Sequence, residues 1–193
     1  MLRKLTASIL VLGLFGGLAG LSVIALFTDS QSVSGNLFST GTVDISTSPA
    51  SLLVTYSNMA PGDEVVGGVT VSNAGTLDLR YAVTSTTTEN SLAAQLDLTV
   101  WDEAAEADAG TACAATAPGT VLYSPADLGS TAGVNIVGNP TQGAQAGDRP
   151  LAASGSEVLC FKVALPLSTG NAYQALSTTA TFAFQAEQTR NNP

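Results

Sequence analysis

Short runs in which apolar and polar residues alternate dominate the chain, and no convincing amphipathic helix accompanies them. In two of these runs every second residue is apolar: Leu159, Phe161, Val163 and Leu165 in one, and Ala180, Phe182, Phe184 and Ala186 in the other. A period of two places such residues on one face of a strand, with the opposite face in water. The chain is therefore predicted to fold as an all-β, antiparallel sandwich.

Strands are predicted where such runs are bounded by Gly, Pro, Asn and Ser. They are Gly41–Ser46, Leu52–Ser57, Glu64–Ser72, Arg80–Thr87, Gln95–Trp101, Glu157–Leu165 and Ser177–Gln188. Turns are predicted at Ala60–Asp63, which contains Pro-Gly, and at Asn73–Thr76. One helical turn is predicted at Asn90–Gln95, with Asn90 as its cap. Trp101, the only tryptophan, is expected to fill the core.

A segment rich in Ala, Gly, Pro, Thr and Asp interrupts this pattern from Asp102 to Arg149. Its only apolar islands are Val121–Tyr123 and Val134–Val137, so we expect an elaborated loop within an insertion at about 102–156. Four carboxylates cluster at its start, at positions 102, 103, 106 and 108. Calcium favours such ligands, but the spacing does not match an EF-hand loop, and a solvated acidic loop is the preferred interpretation.

The charge composition excludes several classes of function. The 193 residues include 15 acidic, 6 basic and no histidine residues, for a net charge of −9. Without a basic patch, nucleic acid is a poor partner. Without histidine, Ser-His-Asp and Cys-His catalysis and HExxH zinc sites are excluded. No cofactor is expected.

The N-terminus is typical of an export signal. Arg3 and Lys4 precede an uncharged run, Leu5–Phe27, and small residues follow. We predict a signal peptide at 1–25, with cleavage between Ala25 and Leu26. A retained membrane anchor is the alternative, since the run is long enough to span a bilayer.

The two cysteines, Cys113 and Cys160, both lie in the exported part of the chain. Outside the cytosol two such thiols are expected to form a disulfide, and free buried thiols are the alternative. In the predicted register Cys160 points away from the Phe161 face, so the bridge is expected to fasten a loop to the outside of a sheet.

Four motifs occur in a fixed order behind the signal: LFTDSQSVSGNLFSTGTVDIS at Leu26–Ser46, SNMAPGD at Ser57–Asp63, VSNAGTL at Val71–Leu77 and TFAFQAEQ at Thr181–Gln188. Together they resemble the TasA/camelysin family. The resemblance covers roughly residues 5–88 and 157–188, and leaves out the Asp102–Arg149 segment.

The resemblance implies a jelly-roll-like β-sandwich, exported with a signal of the type that the SipW signal peptidase processes. Several members are filament subunits of biofilm matrix or pili, in which the N-terminal segment of one subunit inserts as a strand into the next. Here that segment is 26–40, followed by a sandwich domain at 41–193. Its apolar residues would fill pockets of the neighbour: Leu26, Phe27, Val33, Leu37 and Phe38. The alternative is that the segment is the chain's own first strand.

The resulting expectation is a secreted, self-polymerising structural subunit of an extracellular matrix or cell-surface fibre. A monomeric surface-binding module is the first alternative. A metalloendopeptidase, the activity described for the camelysin branch, is the second. Because zinc proteolysis needs three protein ligands and an activating base, we expect no enzyme activity. A membrane is expected to be a partner only through an uncleaved signal.

Overall fold

The computed structural model describes residues 37–50, 56–103, 113 and 119–193. Within them the chain forms nine strands and one short 3₁₀ helix, Asn171–Tyr173. The strands are β1 (Ile45–Ser48), β2 (Glu64–Asn73), β3 (Leu79–Thr87), β4 (Asp97–Glu103), β5 (Val121–Asp127), β6 (Val134–Val137), β7 (Arg149–Leu151), β8 (Ser156–Ala164) and β9 (Ala180–Gln188). Contacts divide the chain into two compact units, Met1–Ser39 and Thr40–Pro193. All nine strands belong to the second unit.

Two antiparallel sheets pack face to face. Sheet A has the order β1-β2-β8-β4-β5. In sheet B, β3 is central: β9 pairs with its whole length on one side, and β6 and β7 share its other side. The predicted all-β sandwich is confirmed, and the chain passes repeatedly from one sheet to the other.

The main core lies between the sheets and follows the period-two pattern. Leu159, Phe161 and Val163 of β8 meet Leu79, Tyr81 and Val83 of β3, and all six side chains are buried. β8 is central in sheet A and β3 is central in sheet B, and the fully buried Val71 of β2 and Leu98 and Val100 of β4 extend the core on both sides of β8.

The segment after Asp102 contributes more structure than its composition suggests. Both of its apolar islands form strands, β5 and β6, and β7 follows at Arg149–Leu151. The expectation of an elaborated loop is therefore wrong for this part of the segment. Short strands between Gly and Pro residues carry too weak a periodic signal to be distinguished from loop. Of the four clustered carboxylates, Asp102 and Glu103 end β4, while those at 106 and 108 lie outside the described residues.

Other predicted elements shift in detail. The strand predicted at Gly41–Ser46 begins only at Ile45, and most of the one predicted at Leu52–Ser57 lies outside the described residues. The helical turn forms, but its cap is Glu89, whose carboxylate accepts the backbone N–H groups of residues 91, 92 and 93. Burial opposes this charge, but the three N–H donors outweigh it and lower the pKa of Glu89.

A second apolar cluster covers the outer face of sheet A. Trp101, Val158 and Cys160 are buried there and pack against Cys113. Trp101 therefore lies outside the main core, contrary to expectation. Cys113 and Cys160 form the expected disulfide, with their Cα atoms 5.4 Å apart, and it fastens the outside of the sheet as the register predicted.

The disulfide is expected to contribute about 4 kcal/mol to stability, because it closes a loop with a sequence separation of 47. Cys113→Ser should lower the free energy of unfolding by that amount in urea titrations. Far-UV circular dichroism should stay unchanged, because the main core lies on the other face of β8. Wild-type protein unfolded in urea with a reductant present is the matched control, and its free energy of unfolding should fall by the same amount. An unchanged urea midpoint in both samples would contradict this role.

Candidate functional site

Strand β9 forms an open edge of the sandwich. Among the described residues it pairs only with β3, over nine residues and without a register shift, from Ala180 opposite Thr87 to Gln188 opposite Leu79. An edge strand presents a row of backbone N–H and C=O groups that another strand can bind. β9 is the longest such edge in the described part of the chain.

The inner face of this edge is incompletely covered. The ring centroids of Phe182 and Phe161 are 4.8 Å apart, and those of Phe184 and Tyr81 are 6.2 Å apart. Phe161 and Tyr81 are fully buried, whereas Phe182 and Phe184 are only partly buried. The core is therefore open on the side where a further strand of sheet B would lie.

The sequence of β9 contains none of the features that normally block an edge. From Ala180 to Ala186 there is no charged residue, proline or bulge. The opposite edge differs: β5 carries Pro125, ends at Asp127 and pairs irregularly with β4. β5 also contacts β6, and on the other side of the sandwich β1 contacts β9. The two edges therefore differ in sequence rather than in closure, and of the two β9 has the residues that suit the addition of a strand.

The segment that enters β1 is held by the turn between β2 and β3. The Ala74 N–H donates to the Asp44 carbonyl at 2.8 Å, and the Thr76 N–H donates to the Thr42 carbonyl at 3.0 Å. A Cβ at Gly75 would collide with the Thr42 carbonyl oxygen, so the close approach requires glycine. Two of the sequence motifs therefore contact each other.

Asn73 organises this turn from a buried position. Its side-chain amide donates to the carbonyl oxygens of Leu77, Leu151 and Ala152 at 2.9–3.2 Å, and its oxygen accepts the Gly75 N–H at 2.9 Å. The motif asparagine is thus a structural residue that joins the β2–β3 turn to the β7–β8 turn.

The predicted N-terminal site residues are only partly visible. Leu26, Phe27 and Val33 lie outside the described residues, as does the predicted cleavage site at Ala25. Leu37 and Phe38 are described: neither belongs to a strand, and their side chains are 89% and 92% exposed. The donor-strand role of all five remains a prediction.

A partly buried ionic cluster joins the two sheets. Arg149 binds Asp102 at 3.1 Å and pairs with Glu157, which also accepts the hydroxyl of Tyr81 at 2.8 Å. Burial alone would lower the pKa of Arg149, but the hydrogen bond and charge of Glu157 raise it. Burial and the Glu157 charge also raise the pKa of Tyr81. Neither group exchanges protons near neutral pH, so the cluster is structural.

The described residues do not fit a catalytic zinc site. The chain has no histidine, both cysteines are in the disulfide, and no three carboxylates or cysteines of the described part converge on one point. Several carboxylates already bind backbone N–H groups: Asp63, Glu89, Asp102 and Asp148.

One pocket of about 160 Å³ lies on the outer face of sheet B, between β3, β9 and the loop at 139–148. Three charged residues line it and all have partners: Arg80 binds Glu187 at 2.6 Å, and Asp148 accepts the backbone N–H groups of Asn139 and Gln145. The Arg80 hydrogen bond lowers the pKa of Glu187. The pocket offers no unpaired acid or base for catalysis. Within the described residues, no helix is long and apolar enough to cross a membrane.

Asn73→Ala should destabilise the fold by about 2–4 kcal/mol, because it leaves buried carbonyl groups without donors. Asn171→Ala is the matched control: this asparagine is exposed, and its loss should change stability by less than about 0.5 kcal/mol. Urea unfolding followed by circular dichroism measures both. Equal effects of the two substitutions would refute the structural role of Asn73.

Comparison with known proteins identifies the family. Among solved structures, the seventh PapD-like (ASH) domain of human CEP192 is 12% identical with a TM-score of 0.29, over 84% of this chain and 96% of that one. AvmM, which catalyses macrocyclization in alchivemycin A biosynthesis, is 10% identical with a TM-score of 0.34, over 78% and 90%. No curated protein matches significantly. A family model described as camelysin metallo-endopeptidase matches residues 1–104, more than half of the chain, and the chain belongs to this family.

Proposed function

We propose that this protein is a secreted structural subunit that polymerises into an extracellular fibre of a biofilm matrix or pilus. Each subunit accepts the N-terminal segment 26–38 of a neighbour as an added strand. The observation that carries the proposal is the open edge at β9, where two aromatic side chains of the core are only partly covered.

The segment is suited to the edge in length and pattern. Thirteen residues reach about 40 Å when extended, whereas the nine residues of β9 need about 30 Å. Alternation places Phe27, Val33 and Leu37 on one face of an added strand. Burying one of these side chains against Phe182 or Phe184 would contribute about 1.5–3 kcal/mol.

Export fits the same function. The disulfide between Cys113 and Cys160 is of a kind that persists outside the cytosol. Removal of 1–25 by a signal peptidase of the SipW type would free Leu26 as the new N-terminus. The segment then becomes available for assembly only after export, which prevents polymerisation inside the cell.

The family description favours a second candidate, a metallo-endopeptidase. The donor set of this chain opposes it, since zinc sites use imidazole, thiolate or carboxylate ligands. Histidine is absent, and the thiols are oxidised to a disulfide. A monomeric surface-binding module is the third candidate, and size-exclusion chromatography separates it from a fibre subunit.

Deletion of residues 26–38 should abolish fibres in negative-stain electron microscopy and leave a folded monomer in size exclusion. The sandwich begins at Thr40, so the deletion leaves its compact unit intact. Fibres that persist without the segment would contradict the proposal.

A matched pair of substitutions tests burial of the segment. Val33→Asp places a charge on the inward face and should block elongation. Ser34→Asp adds the same charge on the face directed to solvent, and should leave elongation within about twofold of wild type. Light scattering gives the rates, and equal rates for the two variants would refute strand insertion.

Salt should accelerate polymerisation. The chain without its signal carries 15 acidic and 4 basic residues, or −11, after removal of Arg3 and Lys4. Such subunits repel one another, and the Debye length falls from about 10 Å at 0.1 M to about 3 Å at 1 M salt. Elongation followed by light scattering should be faster at 0.5 M than at 0.05 M sodium chloride. A slower rate at high salt would show that charge attraction drives assembly instead.

A further inference from the structure

The pocket on the outer face of sheet B has two cross-strand pairs as its floor. Arg80 lies opposite Glu187, and Ala82 lies opposite Gln185, in the register of β3 and β9. Tyr81 stands between Arg80 and Ala82 and packs in the main core, so its two neighbours point away from the core. The floor therefore belongs to the face of sheet B that is turned outward.

The guanidinium of Arg80 is not fully used by its partners. The residue is only 8% exposed, its Nε donates to Glu187, and its Nη2 donates to the main-chain carbonyl of Asn192. A guanidinium carries five N–H groups, and Nη1 has no acceptor among the described residues. Because a buried donor without an acceptor costs free energy, an oxygen atom of a ligand in this pocket would be favoured.

The wall of the pocket is a loop with a fixed shape. Asp148 accepts the backbone N–H groups of Asn139 and Gln145, and the side-chain oxygen of Asn139 accepts the N–H of Thr141. Gly138 has a φ of 58°, and a Cβ there would collide with Asp148, so the loop requires glycine at this position. The pocket is thus preformed, which lowers the entropic cost of binding.

The charges at the pocket are compensated, and this decides the class of ligand. An anionic ligand would meet the two carboxylates of Glu187 and Asp148 against one guanidinium, while a cationic ligand would find no unpaired carboxylate. The side-chain amides of Gln142 and Gln185 also line the pocket, and neither bonds another described residue. Amides both donate and accept, as hydroxyl groups do. The lining therefore matches a neutral ligand that carries several hydroxyl groups.

We propose that this pocket binds one neutral sugar unit of an extracellular polysaccharide. Of two adjacent ring hydroxyls, one can donate to a carboxylate while the other accepts from a guanidinium, and the Arg80–Glu187 pair offers both groups side by side. The pocket measures about 160 Å³, below the roughly 300–1,000 Å³ of pockets that enclose drug-sized ligands. It therefore takes a single ring and leaves the rest of the polymer in solvent.

This inference rests on the proposed function, because it names a partner of the proposed fibre. A single ring in an open pocket is expected to bind with a Kd on the order of millimolar. A fibre repeats the pocket in every subunit, so one long polysaccharide would contact many pockets at once. Such multivalent binding can exceed the single-site affinity by about 10²–10⁴.

NMR titration of the ¹⁵N-labelled chain without its signal, at low salt where assembly is slow, tests the site. The probes are the methyl α-glycosides of glucose, galactose and mannose, and at least one should shift the backbone amide signals of Thr141 and Gly143. Glucuronate, an anionic sugar, should bind about tenfold more weakly than the preferred neutral glycoside.

A matched set of glutamine variants assigns the binding to this pocket. Gln142→Ala/Gln185→Ala should weaken it about tenfold, because two hydrogen-bonding amides are lost. Both residues are exposed, so the fold should be retained, which circular dichroism checks. Gln174→Ala is the control: this glutamine is also exposed and does not line the pocket, so the Kd should stay unchanged.

The competing ligand is a peptide, because Arg80 already holds a main-chain carbonyl. Acetyl-trialanine amide is its probe, and shifts with this peptide but with none of the sugars would overturn the proposal. So would the absence of shifts with all three sugars, or sugar binding that the double glutamine variant leaves unchanged.

The same titration separates this inference from the fibre function. Fibres from a chain that binds no sugar overturn the sugar site and leave the fibre function standing. Sugar binding at Thr141 and Gly143 by a chain that forms no fibres supports the site, and overturns the fibre function in favour of a monomeric surface-binding module.

Discussion

The side-chain amide of Asn73 holds together the end of the sandwich that carries the β2–β3 and β7–β8 turns, and the local architecture depends on it. Its hydrogen bonds join the β2–β3 turn to the β7–β8 turn, and so join sheet A to sheet B where both connections cross between them. The ordered turn then offers the N–H groups of Ala74 and Thr76 to the incoming chain. One buried amide therefore links the two sheets at this end and supports the turn that binds the carbonyl groups of Thr42 and Asp44.

The sequence predicted five strands well because each contains an alternating run of apolar residues that face the main core. β2, β3, β4, β8 and β9 each lie within a few residues of a predicted run, and the outward position of Cys160 was derived from alternation beside Phe161. β5, β6 and β7 were missed, since strands of three to seven residues between Gly and Pro have little periodic signal. Trp101 was misplaced because a large apolar residue usually fills a main core. Here Trp101 packs instead in a second apolar cluster, beside the disulfide.

The candidate site was only partly accessible from sequence. Alternation revealed that Phe182 and Phe184 share a face, but not that their strand lies at an edge, because strand order depends on contacts distant in sequence. One local signal was present: the run from Ala180 to Ala186 has no charge in a chain with 15 acidic residues. The acidic residues have mostly local structural roles, as caps of turns and partners of the few arginines, which explains why their number indicates no metal site.

Strand β5 has a further consequence for the material this subunit would form. Pro125 has no N–H to donate, and Asp127 would place charge beside any chain approaching this edge. In the proposed fibre, hydrogen-bonded ladders would therefore not extend from the β5 edge of one fibre to a neighbouring one. Contacts between fibres at this edge would depend on side chains, and salt would weaken those that are ionic.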